Sequence, residues 1–362
     1  MTLDLDFELL SSLGLTPALA SRAAGLAAAQ DDDAQLMRVT EVHRETVEVD
    51  DGRDPHRARP LPRLARTLLE QGTALAVGDW VLAAADIHGD RWMTQQVPPS
   101  SHIARRDGDG RRHPVVSNVD VALLVMGLDD DFNPRRLERY LALVRGDAIV
   151  PVVVLTKRDV AAPTAEALAL FVDMLRGRVA ADVEVVAVNA THESAAQALA
   201  HYLGRGQTLV VLGSSGAGKS TLTNTLLGAA VQDTGAVRVN DGRGKHTTTS
   251  RSLHRLPGGA CVIDTPGLRT LRPDADEASL AGSFADIGAL AEQCRFRDCR
   301  HADEPGCAVR EGIDPDRLRN FHKLLREARR DTMSALDRQR QVAIWKERGR
   351  ASKARMKAKR GD

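Results

Sequence analysis

The sequence predicts a multidomain protein in which a small β-barrel precedes an α/β core and a helical, metal-binding domain follows it. Three observations predict this. Short β-branched runs broken by Gly and Pro occupy 36–104, the pattern of a small barrel. Beyond 113, apolar runs of strand length alternate with helical stretches, the pattern of a doubly wound, mostly parallel sheet. After Pro273 the chain turns helical and polar and passes Cys294, Cys299, His301 and Cys307. The changes of character divide the chain into an extension over 1–34, the barrel over 35–107, the α/β domain over 108–275 and the C-terminal domain over 276–362.

Taken in order, 1–34 is rich in Ala and Leu and turns acidic at Asp31-Asp32-Asp33, which reads as a short helix and a linker. In the barrel, 37–49 is strand-like, with Val39, Val42, Val47 and Val49 spaced by polar residues. The stretch 51–61, with Arg, Pro and Gly, reads as a loop. Val77-Gly78-Asp79-Trp80-Val81 reads as a turn entering a strand, and 91–97 as a further strand. In the α/β domain the strand candidates are 119–126, 149–155, 183–188, 208–212 and 260–263, and helices are expected at 134–145, 164–176 and 194–203. There is no internal repeat.

The strongest chemical signal is Gly213-Ser214-Ser215-Gly216-Ala217-Gly218-Lys219-Ser220, with Thr221 next, between a strand and a helical stretch. This is a P-loop: its glycines let backbone N–H groups wrap phosphates, Lys219 reaches the β- and γ-phosphates, and Ser220 is a Mg²⁺ ligand. Asp264-Thr265-Pro266-Gly267 closes the strand at 260–263 and fits a second magnesium-side loop, with Asp264 toward Mg²⁺ and the Gly267 N–H toward the γ-phosphate. Thr156-Lys157-Arg158-Asp159 closes the strand at 149–155. There the Asp159 carboxylate can accept two hydrogen bonds from guanine and the Lys157 stem can lie over the base. Thr156 stands where GTPases usually carry Asn. Asn189-Ala190 ends the next strand, where the Ala190 N–H can meet the guanine oxygen. Gly242-Arg243-Gly244-Lys245-His246-Thr247-Thr248-Thr249 lies where a first switch belongs. Thr248 is the expected further Mg²⁺ ligand. Leu268 follows Gly267 where Ras-like enzymes use Gln, so His246 is the expected group for orienting water, the other reading being a solvated loop histidine. Catalytic roles thus fall to His246, Lys219 and Thr248.

The guanine reader precedes the P-loop here, whereas an ordinary GTPase has the reverse order. The parts describe a P-loop GTPase core that has been circularly permuted.

Cys294, Cys299, His301 and Cys307 offer three thiolates and an imidazole, a closed tetrahedral set suited to one structural Zn²⁺. Cys261, on an apolar strand, reads as a small core residue. The whole chain of 362 residues carries a net charge of +1, yet 323–360 holds fourteen Lys or Arg against Glu327, Asp331, Asp337 and Glu347. Such an end suits an anionic partner, RNA first, or a solvated tail. No stretch approaches the roughly 20 apolar residues that span a bilayer, and the start lacks a secretory pattern. A cytoplasmic protein without structural disulfides is expected.

Together these residues resemble the ribosome small subunit-dependent GTPase A (RsgA-like) family of bacteria over roughly 36–330. The resemblance rests on the permuted order, GSSGAGKST, GRGKHTTT, DTPG and the segment Cys-Arg-Phe-Arg-Asp-Cys-Arg-His with Glu-Pro-Gly-Cys. It implies an OB-fold barrel that binds RNA, a permuted GTPase core, a zinc domain and a role in late maturation of the small ribosomal subunit. It further implies GTP hydrolysis to GDP stimulated by that subunit, with His246 as the switch histidine and the subunit's rRNA as partner of a monomer. The alternative is an rRNA-binding adaptor of barrel and zinc domain that uses GTP only as a structural ligand.

Overall fold

The computed structural model describes residues 5–28, 34–43, 46–106, 112–147, 149–229, 251–265 and 277–332. Its strands in chain order are β1 (Gln35–Val42), β2 (Val47–Asp50), β3 (Pro55–Pro60), β4 (Trp80–Ala85), β5 (Arg91–Val97), β6 (His102–Arg106), β7 (Arg112–Ser117), β8 (Val121–Gly127), β9 (Val150–Thr156), β10 (Glu184–Ala187), β11 (Thr208–Gly213), β12 (Ser252–Arg255) and β13 (Cys261–Asp264).

The first five strands close on themselves. β1 pairs with β2, β2 with β3, β3 with β5, β5 with β4 and β4 again with β1, all antiparallel except β3 with β5. Met37, Val39, Val47, Val49, Ala58, Val81, Ala83 and Met93 fill the interior, and Leu64 and Leu68 of helix Pro62–Glu70 cover it. The loop expected over 51–61 is corrected here: β3 runs through it. Only Ala58 of that strand is buried, so it lacks the apolar alternation that reveals a strand in sequence.

The α/β domain carries the order β10-β9-β8-β11-β13-β12. Its first five strands run parallel, and β12 is an antiparallel edge. Strand residues point alternately to two faces. Ala122, Leu124, Val153, Leu155, Val210 and Leu212 pack with helices Pro134–Val144 and Ala165–Leu175. Leu123, Val125, Val152, Val154, Leu209 and Val211 pack with helices Ser194–Ala198 and Lys219–Leu227. β12 escaped the sequence because only Leu253 in it is buried. One pairing, Glu41 with Ser252, joins this sheet to the barrel.

The N-terminal segment differs from the helix and linker expected. It forms two helices, Phe7–Ser11 and Pro17–Ala27, capped by Asp6 and Thr16, and Leu10, Leu13, Leu15, Leu19 and Ala23 join the largest core cluster. At the other end, helices Glu277–Ser283, Ala285–Ala291, Ala308–Gly312 and Pro315–Thr332 share a small core of Leu280, Phe284, Ile287, Val309, Leu318 and Leu324. Ala142 of helix Pro134–Val144 completes that core. Among the described residues no helix is long and apolar enough to cross a membrane.

Candidate functional site

In an open parallel sheet, ligands gather at the carboxyl ends of the strands, where loops are free to diverge. Four of the segments singled out in the sequence meet there. Thr156 ends β9, Asn189 follows β10, Gly213 ends β11 and Asp264 ends β13.

The P-loop takes the backbone its glycines permit. Gly216 has φ +84° and Gly218 +91°, a region costly to side chains. A Cβ on Gly213 would stand 2.3 Å from the Val125 carbonyl oxygen, so that glycine is demanded by space. Helix Lys219–Leu227 starts directly behind the loop, so its N-terminal end faces any anion held there. Lys219 is buried, and its Nζ donates to the Ser214 carbonyl at 2.7 Å.

The base-reading segment is tied to the phosphate segment by a single hydroxyl. Thr156 is fully buried and its Oγ1 donates to the Ala217 carbonyl at 2.5 Å. A Cβ on Gly218 would sit 3.3 Å from that same oxygen. Thr156 therefore links β9 to the P-loop through a direct contact, despite its departure from the usual Asn. Lys157 adopts a left-handed conformation at φ +60°, and Asp159 lies exposed in the short helix Arg158–Ala161. On the far side, the Asn189 carboxamide oxygen accepts from the Thr191 N–H at 3.0 Å and hydroxyl at 2.6 Å. Thr225 of the P-loop helix donates to the Ala190 carbonyl at 2.6 Å.

Asp264 is 1% exposed, and neither carboxylate oxygen has a well-formed hydrogen bond among the described residues. Burial raises its carboxyl above the ordinary range, and the nearby Lys219 ammonium opposes that shift. A buried carboxylate at the end of β13 and the Ser220 hydroxyl at the start of helix Lys219–Leu227 are hard oxygen donors of the kind that suits Mg²⁺. His246, Thr248, Gly267 and Leu268 lie outside the described residues.

The Cys/His set comes together as expected. The four ligating atoms of Cys294, Cys299, His301 and Cys307 lie within 4.8 Å of one another. Cys294 Sγ is 3.6 Å from His301 Nδ1 and 3.9 Å from Cys307 Sγ, and Cys307 Sγ is 3.5 Å from His301 Nδ1. A tetrahedron with ligands about 2.0–2.3 Å from its centre has edges of about 3.3–3.8 Å, so the cluster can hold a metal ion. Backbone N–H groups of Val309 and Ala308 lower the Cys294 thiol, favouring the thiolate. Burial pushes Cys299 up to about 11, a shift a bound cation reverses.

Two site residues were missed in the sequence. Asp129 and Asp131 follow β8 at the same sheet end and contact Lys157 and Ser214. A run of three aspartates just beyond a buried parallel strand was the available signal.

Known proteins share this design. The family described as RsgA GTPase matches residues 97–273. The small ribosomal subunit biogenesis GTPase RsgA of Xanthomonas axonopodis pv. citri is 46% identical over 298 residues, covering 80% of each chain. The protein of the same description from Xanthomonas oryzae pv. oryzae is 46% identical over 295 residues, 79% of each. Among solved structures, YjeQ from Thermotoga maritima superposes with a TM-score of 0.57 at 23% identity, over 82% of this chain and 98% of that one. YloQ, described as a circularly permuted GTPase, does so at 0.55 and 20% identity, over 83% and 97%.

Proposed function

The chain belongs to the RsgA GTPase family, and on that premise we propose that it binds the small ribosomal subunit, acts in its late maturation and hydrolyses GTP under that subunit's stimulation. The observation that carries the nucleotide half is the Thr156–Ala217 hydrogen bond. It holds the guanine reader and the phosphate loop to one another, as a site for a whole guanine nucleotide requires.

In this reading Asp159 accepts the two guanine N–H groups, and Lys157 and the Ala190 N–H complete the base site with Arg158 and Asn189 around them. The backbone from Gly213 to Thr221 and the Lys219 ammonium take the phosphates. Ser220, Thr248 and Asp264 hold Mg²⁺, which neutralises charge on the transferred phosphoryl group. Gly267 senses the γ-phosphate, and His246 orients the attacking water.

The RNA half rests on shape and charge. The closed order β1-β2-β3-β5-β4 with a helix between β3 and β4 supports reading the barrel as an OB-fold. The Cys/His cluster is read as one structural Zn²⁺ site that braces the C-terminal domain. Beside it Phe296 is exposed, with the Arg295 guanidinium 5.6 Å from its ring, a surface on which a nucleobase can stack. The lysines and arginines of 323–360 supply phosphate contacts. The protein acts in this reading as a cytoplasmic monomer.

GTP turnover by the full chain, with and without purified small subunits, is the test. Slow turnover alone and a large rise with subunits is expected. In His246→Ala the stimulated rate falls tenfold or more while GTP still binds. A chain that binds subunits and GTP yet never hydrolyses it is instead the adaptor.

A further inference from the structure

The loop between β8 and helix Pro134–Val144 passes between the base-reading and phosphate-binding loops and touches both. Lys157 Nζ donates to Asp129 Oδ2 at 2.5 Å. Ser214 Oγ donates to Asp131, 2.5 Å from Oδ1 and 2.6 Å from Oδ2. The two carboxylates are themselves fixed to one another and to their strand. The Asp131 N–H donates to Asp129 Oδ1 and the Gly127 N–H to Asp131 Oδ2, both at 3.3 Å. The Leu128 N–H donates to the Thr156 carbonyl at 3.1 Å, so the loop is pinned to the base-reading strand as well. A Cβ on Gly127 would lie 2.5 Å from Asp129 Oδ1, so a side chain there would push that carboxylate aside. Behind it, Arg136 donates to Asp131 through both its carbonyl and its carboxylate, and Asn133 caps the helix at 3.1 Å.

Each aspartate accepts from a residue that the proposed function assigns to the nucleotide, Asp129 from Lys157 and Asp131 from Ser214. We propose that Asp129 and Asp131 are positioning residues of the GTP site: together they splint the Lys157 side chain and the Ser214 end of the P-loop at a fixed separation, so that base and phosphates are gripped at once. The inference rests on the guanine-nucleotide reading above and adds the groups that preorganise it. Preorganisation raises affinity by removing the ordering that a floppy site must undergo on binding. Because the splint acts on groups common to GDP and GTP, both should gain equally from it.

Binding of N-methylanthraniloyl GDP and its GTP counterpart to the full chain tests this, with Asp131→Ala, Ser214→Ala and the pair combined. Loss of a charge-assisted hydrogen bond that orders the loop should weaken both nucleotides about tenfold. The double variant should be no weaker than the worse single one, because both changes remove the same bond. Asp131→Asn, which keeps an acceptor for Ser214, should recover most of the loss and serves if the alanine variant fails to fold. Asp129→Ala should weaken labelled GDP more than it weakens displacement by pyrophosphate, which has no base for Lys157 to cover. Additive losses in the double variant, or affinities within twofold of wild type, overturn the proposal. Failure of the wild-type chain to bind either nucleotide overturns the guanine-nucleotide reading instead.

Discussion

The barrel and the C-terminal domain are joined to the α/β core in opposite ways. The barrel's joint centres on one buried arginine whose hydrogen-bond partners are neutral, with one ion pair, Asp50 with Arg255 at 2.6 Å, at its edge. Arg38 of β1 is fully buried and donates to the carbonyls of Leu13, Gly78 and Asn118 and to the Thr208 hydroxyl, with the Trp80 ring 5.5 Å away. These partners come from the N-terminal segment, the barrel, the link to the core and the start of β11, so a single guanidinium gathers four parts of the chain. Asn118 holds φ +53° to offer its carbonyl there. Burial lowers the Arg38 pKa, and Cys261, Asp120 and Asp79 nearby oppose that shift.

The C-terminal joint is ionic and spread out. Glu138 of helix Pro134–Val144 is 2% exposed and accepts from Arg317 at 2.8 Å, from Arg178 at 3.3 Å and from Asn320. Arg317 also donates twice to Asp286, both at 2.8 Å, and lies 4.5 Å over the Phe284 ring. Arg139 pairs with Glu327 at 2.7 Å, and Arg135 and Arg178 both meet Asp316. Such a joint is graded: it can lose one pair and keep the others. The lesson is about where motion is affordable. The barrel and N-terminal helices meet the core around one buried guanidinium, whereas the Cys/His-cluster domain meets it through several separate ion pairs and a small apolar contact at Ala142. That domain grips the same helix that carries the Asp129–Asp131 loop.

The sharpest way to break this contrast is Arg38→Met. The Gly78 carbonyl keeps Asn118 Nδ2 as a donor at 2.9 Å, but the Leu13 and Asn118 carbonyls and the Thr208 hydroxyl would lose theirs; at about 1–3 kcal/mol each, a loss of at least about 3 kcal/mol is expected. Urea unfolding followed by barrel tryptophan fluorescence should show one transition that moves earlier as a whole. A barrel that detaches while the core keeps its midpoint would mean that Arg38 welds nothing.

Arg317→Met should cost less, about 2–3 kcal/mol, because Glu138 keeps Arg178 and Asn320 as partners. The loss should be local. Proteolysis should release the segment after 276 sooner, while the midpoint of the barrel transition stays where it was. Equal loosening of both regions would erase the distinction between the joints.

Much of this was legible in the sequence, and the reason differs by region. The P-loop, the Asp264 loop and the Cys/His set are contiguous motifs whose residue types follow from their chemistry; the P-loop lies between a strand and a helix, and the Cys/His ligand atoms gather, as expected. Four of the five parallel strands were visible because both of their faces are buried, which leaves near-continuous apolar runs such as Val121 to Gly127; β10, at the sheet edge, is only partly covered. What stayed hidden is non-local or polar. β3 and β12 bury one side chain each. Arg38 and Glu138 look like surface charges until residues 80 and 179 positions away arrive as partners. Asp129 and Asp131 gain meaning only once β8 is seen to end beside the P-loop.

The smallest expected effect separates the joints by pH. Asp79, in the turn before β4, is buried beside Arg38 and accepts from the Ala76 N–H at 2.8 Å and from Gln96 at 2.7 Å. Burial outweighs these bonds and pushes its carboxyl up to about 6. Between the unfolded value near 4 and this folded value, the native state binds more protons than the unfolded chain, so stability rises as pH falls through that window. Moving from pH 7 to pH 5 should therefore strengthen the barrel joint by about 1 kcal/mol. The C-terminal joint has the opposite sign and a lower window. The Arg135 guanidinium, with Arg178 and Arg319 behind it, holds the Asp316 carboxyl well below the ordinary carboxylate range. The stability it lends is complete above the unfolded value and is lost only as pH falls below about 4. Asp79→Asn, which cannot ionise, should abolish the gain between pH 7 and pH 5 and leave the acid loosening of the C-terminal domain untouched. A variant whose barrel still gained stability over that range would assign the effect to another group and dissolve the pH contrast between the two joints.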